Sequence, residues 1–126
     1  MPFIHVKSLP FDEPRDVRTV LEGLTRDFAE STGIKLEHVT ATWDLLPEGH
    51  YAVAGSAALH QPQASHPVLV ELVAPDFNSP EDVELMLETV ALSISKRAKV
   101  QKDNIFISYR GVGSGTVFDR GEVVRW

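Results

Sequence analysis

A chain of 126 residues, 43% hydrophobic and with a formal net charge of -6, can bury a real core, and it contains no apolar run long enough to span a membrane as a helix. It has no cysteine, which removes disulfides and thiolate metal sites. Lys and Arg are scattered without a basic run, which argues against a nucleic-acid surface, because phosphate contacts need a basic footprint.

The first stretch, Met1 to Leu9, reads as a strand that begins one residue into the chain. Pro10-Phe11-Asp12-Glu13-Pro14 then breaks the extended run, with Asp12 in position to cap a helix and Glu13 and Pro14 in its first turn. Val17, Val20, Leu21, Leu24 and Phe28 follow at helical spacing, and Gly33 suits the left-handed residue that ends a helix. Val39 to Trp43 reads as a second strand. Asp44 to Pro67 is irregular, with a turn at Leu46–Gly49 and room for a short strand within His50–Gly55.

Val68 to Val73 is the strongest strand, and its nearly continuous apolar run predicts burial on both faces. Ser79-Pro80-Glu81-Asp82 opens a second helix: Ser as cap, Pro at the first helical position and acids in the first turn. Its stripe is Val83, Met86, Leu87, Val90 and Ile94, with Lys96, Arg97 and Lys99 toward the end where cations suit the helix dipole. Asn104 to Arg110 is a further strand, Gly111 to Gly115 a flexible turn, and Glu122 to Trp126 a last short strand.

Adding 66 to each position of the first helical stripe gives the second stripe residue for residue. The same shift carries Val39, Ala41 and Trp43 onto Ile105, Ile107 and Tyr109, and Pro67 stands 65 residues after Pro2. The chain therefore reads as one α+β domain, 1–126, of two β-α-β units, about 1–60 and 66–126. Each unit should pair its strands in parallel through a right-handed crossover. Two arrangements satisfy that order. One interleaves the units in a ferredoxin-like sheet, the fold of many ligand-binding modules. The other keeps the units intact about a pseudo-twofold, in a four-stranded mixed sheet with both helices on one face, and the repeat favours it.

Pro2 carries the candidate chemistry. Initiator Met is commonly trimmed when Pro follows, and trimming exposes a secondary amine. An α-amino group titrates at roughly pH 7.7–8.0, near enough to neutrality to act as a base, and the ring holds its nitrogen in place. Gly111-Val112-Gly113-Ser114-Gly115 lacks dinucleotide-loop spacing, and His60 and His66 lack metal-ligand spacing, so neither a cofactor nor a metal is expected.

Pro directly after Met, the β-α-β duplication, Val39 to Trp43 through Gly49 to Gly55, and Lys102 to Tyr109 together resemble the tautomerase superfamily. That group includes 4-oxalocrotonate tautomerase, malonate semialdehyde decarboxylase and macrophage migration inhibitory factor. The Phe118-Asp119-Arg120-Gly121 tail resembles the decarboxylase. The absence of cysteine fits a cytoplasmic protein, and the resemblance implies a homotrimer with three pockets at subunit boundaries. In each, Pro2 shuttles a proton in keto-enol chemistry on a small acidic substrate, without membrane or nucleic-acid partners. It places Tyr51 at an aromatic pocket wall and Phe106 and Ser108 on the pocket-lining strand, where Phe106 lacks the hydroxyl of its counterpart. Lys35 falls one residue beyond a pocket Lys. The family's substrate-binding Arg falls at Thr40, and its Arg pair after the third strand is replaced by Ala74-Pro75-Asp76-Phe77. Strand alternation puts Arg110 on the same face as Phe106 and Ser108, which makes it the candidate cation. A catalytically silent trimeric binding or scaffold protein on the same fold is the alternative reading.

Overall fold

The structure is a computed structural model that describes all 126 residues. Four long strands form one sheet: β1 (Phe3–Ser8), β2 (Thr40–Leu45), β5 (Val68–Pro75) and β6 (Ile105–Val112), in the order β2-β1-β5-β6. Each unit keeps its own parallel pair, β1 with β2 and β5 with β6, and the units meet where β1 and β5 run antiparallel. This order excludes the interleaved ferredoxin arrangement. The repeat extends to the register: Phe3 stands beside Thr40, and 66 residues on, Leu69 stands beside Phe106.

Two helices, α1 (Val17–Thr32) and α2 (Pro80–Ala98), cover one sheet face. Val20, Leu24 and Phe28 from α1 and Met86, Val90 and Ile94 from α2 pack in a single core with Ile4, Val6, Val68, Val70, Leu72 and Ala74 from the central strands. Burying side chains of this size is worth roughly 1.5–3 kcal/mol each. Short 3₁₀ turns at Leu36–His38 and Lys102–Asn104, again 66 apart, lead into β2 and β6.

Ser79 caps α2 by accepting from the Asp82 amide, and Gly33 ends α1 at φ 77, both where the sequence predicts them. The start of α1 differs. Its cap is Asp16, whose carboxylate accepts from the Thr19 amide and hydroxyl, and Asp12 to Pro14 lie outside the helix. Arg15 explains the delay: its guanidinium lies 5.2 Å from the Phe11 ring centroid and donates to the Ala98 carbonyl at the end of α2, so this segment is tied to the other helix.

The expectation for β5 also needs correction. Val68, Val70, Leu72 and Ala74 are buried beneath the helices, but Glu71 on the opposite side is exposed and Leu69 and Val73 are only half-buried. The apolar run is continuous because its second face is uncovered sheet rather than core.

The connector after β2 folds into a small hairpin, β3 (Ala52–Val53) with β4 (Ser56–Ala57). The tail forms another, β7 (Val117–Asp119) with β8 (Glu122–Val124), in place of a lone terminal strand. No helix is long and apolar enough to cross a membrane.

Candidate functional site

Pro2 sits at the mouth of β1. It is buried, and its carbonyl accepts from the Thr40 amide at 3.0 Å, which fixes the start of the strand against β2. Beside it is a hollow of about 180 Å³ whose walls include Met1, Ile34, His38, Pro75 and Asn78. Tyr109 and Asn78 both donate to the Pro75 carbonyl, at 3.0 and 2.8 Å, and so hold the wall that faces Pro2.

A second hollow, of about 620 Å³, lies on the helix-free sheet face, among Phe3, His5, Asp44, Glu71 and Arg110. Met1 lines both hollows and so stands between them. Burial pushes the terminal amine of Met1 below its usual value. Asp119 opposes this shift and Arg120 adds to it. The Met1 amine is therefore held in its neutral form more readily than one in water.

The other sequence-predicted residues fall in different places. Arg110 shares the level of Phe3, two strands away through Val73, or roughly 10 Å at about 4.8 Å per strand. Its Nη2 is 3.3 Å from the Glu71 carboxylate, so part of its charge is already answered. Phe106 and Ser108 line a separate hollow of about 210 Å³ with His5, Lys7 and Leu69. Phe106 stands beside Leu69, and Leu69 beside Lys7, five residues along β1 from Pro2, or roughly 17 Å. Within one protomer Phe106 and Pro2 do not meet.

Tyr51 is also at that distant end. Its hydroxyl donates to the Pro67 carbonyl at 2.9 Å, and its ring meets the buried His66 edge-on. His66 in turn is 2.7 Å from the Ser56 carbonyl, so this group secures the connector. Lys35 is exposed before the first 3₁₀ turn and lines neither hollow at Pro2, whereas its neighbour Ile34 does.

His38, Asn78 and Ile34 were not singled out from the sequence. The 66-residue shift offered one signal: it maps His38 onto Asn104, which is buried. Asn104 donates to the carbonyls of Pro62 and Ser65, and Gln61 is buried where it accepts from the Leu9 amide and donates to the His66 carbonyl. The connector thus lines the second unit's counterpart of the Pro2 hollow, a cavity of about 260 Å³ whose walls include Phe11, Asp12, Gln61 and Val100.

A polar groove of about 500 Å³ runs between the helices along Asp27, Ser93 and Arg97 and shares no residue with either hollow at Pro2. No cluster of three or more His, Asp or Glu side chains is arranged to hold a metal ion.

No family model and no curated protein matches the sequence. Solved structures do match over nearly the whole chain. Pt0534, captured after inactivation by 2-oxo-3-pentynoate, superposes with a TM-score of 0.83 at 12% identity over 97% of this chain and 94% of its own. A fused 4-OT solved as a symmetric trimer gives 0.82 at 14% identity over 97% and 94%. N1, a member of the cis-3-chloroacrylic acid dehalogenase family, gives 0.80 at 14% identity over 97% and 82%. The chain shares the fold of these proteins. On this fold the chain has Pro2 just before β1 and a charged sheet face.

Proposed function

We propose that the protein is an acid-base catalyst of the tautomerase kind, with Pro2 as the base once Met1 is removed. The Pro2 nitrogen takes a proton from one position of a small keto-enol substrate and returns it at another, so the reaction is redox-neutral and needs no cofactor. The observation that supports this most is the setting of Pro2 itself: a buried proline at a strand end, beside a hollow, where burial depresses the pKa of the adjoining terminal amine. A base for carbon acids needs a pKa near the working pH, and this environment moves an amine in that direction. Loss of Met1 also removes the residue that stands between the two hollows. Arg110 offers a cation to an acidic substrate, set against the Glu71 and Asp44 carboxylates that line the same hollow.

The same reading calls for a homotrimer. Phe106 and Ser108 are too distant to wall the Pro2 site of their own protomer, but the same sheet face of a neighbouring copy can present them. One of the matched structures is a symmetric trimer of fused 4-OT. Tyr51, whose hydroxyl is committed to Pro67, contributes at most a ring edge, and Lys35 at most a distant charge.

The test is ketonisation of phenylenolpyruvate by untagged protein whose mass confirms removal of Met1. Pro2→Ala should lower kcat by on the order of 10²–10⁴-fold, the range typical of a positioned base. Equal rates would leave a catalytically silent trimeric binding or scaffold protein as the reading.

A further inference from the structure

The tail hairpin brings a cation against Glu37, next to a residue that lines the Pro2 hollow. Its turn is Arg120-Gly121, with φ of 51 and 84, so both central residues are left-handed. That is a tight two-residue hairpin turn, whose first position ordinarily holds Asn, Asp or Gly. An Arg there is unusual, and its side chain does not use its charge locally. Its Nη2 reaches the Glu37 carbonyl at 3.4 Å, on the residue before His38, which lines the Pro2 hollow.

Arg120, like Arg26 and Arg125, makes no ion pair, whereas Arg110 shares Glu71, Arg97 shares Asp27, Arg15 faces Glu13 and Arg18 faces Glu22. The charge of Arg120 is felt at the terminal amine, where it acts against the neighbouring Asp119. A guanidinium resting on one neutral carbonyl can turn toward an anion without breaking a salt bridge, and its planar fork suits a carboxylate.

We propose that Arg120 is the cation that receives the acidic group of the substrate at the mouth of the Pro2 hollow. This rests on the Pro2 reading above and adds the residue that selects for an anion. The carboxylate is held from the hairpin side while the reacting carbon faces the Pro2 nitrogen. Arg120 makes no bond to the migrating proton.

Kinetics with phenylenolpyruvate and calorimetric binding of phenylpyruvate and its ethyl ester, all on protein free of Met1, test the proposal. Arg120→Asn removes the charge with a residue at home in the left-handed turn. It should raise KM and weaken phenylpyruvate binding on the order of tenfold or more, with kcat little changed, the pattern of lost uniform binding. Binding of the ester should not change, and Arg120→Lys should recover part of the affinity. Arg18→Ala, which removes one charge from the exposed face of α1, should change neither quantity.

If Arg120→Asn leaves KM and acid binding unmoved while Pro2→Ala lowers kcat, this proposal falls and the Pro2 reading stands. Arg120-dependent binding of the acid without turnover would support the proposal and remove the catalytic reading. Equal weakening of acid and ester overturns the proposal as a purely structural effect, and a wild type that binds no acid overturns it outright.

Discussion

At Pro2 the deciding quantity is how burial and charge share control of one amine. In the intact chain burial is the largest influence on the Met1 terminal amine and favours its neutral form, Asp119 opposes it and Arg120 acts with burial; the Pro2 nitrogen freed by loss of Met1 is proposed to inherit these surroundings. A base works when unprotonated, so activity should rise as the pH climbs through the amine's pKa. On that proposal, the acid limb of kcat/KM should lie below the ordinary α-amino range of roughly 7.7–8.0. A pH-rate profile on protein free of Met1 checks this, and a limb at or above that range would sink it. Arg120→Asn removes a charge that lowers the pKa, so the limb should move to higher pH. Asp119→Asn removes the opposing charge and should move it lower. Both shifts are read on kcat/KM, the parameter that reports the free enzyme.

The helices carry their own coupling, and it sits on the repeat. Asp27 of α1 accepts from Arg97 of α2 through both oxygens, at 2.7 and 2.9 Å, and from Ser93, its counterpart 66 residues on, at 2.6 Å. Gly23 leaves room for the Arg97 guanidinium to lie across α1, where a Cβ would meet it. Arg97 first, then Ser93, holds the Asp27 carboxyl below the usual range against the opposing effect of burial. The folded pKa is thus lower than the unfolded one. Its stabilisation is complete above the ordinary aspartate value and is lost as the pH falls through the folded one. Asp27→Ala should cost about 1 kcal/mol at neutral pH, discounted because 32% of the side chain is exposed. Urea unfolding at pH 7 and pH 3 checks both points: the gap between mutant and wild type should narrow in acid. Phe28→Ala, by contrast, opens a void in the common core and should cost about 3–5 kcal/mol in the same assay at either pH.

This element scale is also where the sequence was most legible. Stripe spacing and the 66-residue shift gave the helices, the intact units and the parallel pairs, because each depends on local periodicity. The start of α1 was not legible, since Arg15 is held by a carbonyl 83 residues away. Nor was the meeting of His38, Asn78 and Pro2, which come from three separate segments and carry no shared spacing.

For the whole molecule, the question is what covers the second face of the sheet. Phe3 and Phe106 are 39% and 57% exposed there, and the tail adds Phe118 and Val123 at 73% and 44%. β2 and β6 are open edges, which isolated sheets rarely leave uncovered. Yet the same face carries His5, which contacts Thr42 and lies 3.5 Å from Asp44, and the Arg110–Glu71 pair. A surface of this mixed kind fits a shared interface with a wet, charged interior better than a dry core. The protein should therefore run as a trimer by light scattering at micromolar concentration, and a monodisperse monomer would end the assembly argument. Phe106→Asp supplies a sharper test, because the residue is exposed in the protomer and lies at the opposite end of β1 from Pro2. The protomer fold should survive, since no buried contact is lost. The trimer should dissociate at concentrations where wild type remains intact, and Pro2-dependent turnover should fall with it. A monomeric Phe106→Asp protein with full activity would show that each protomer holds a complete site, and the neighbour's sheet would then serve assembly alone.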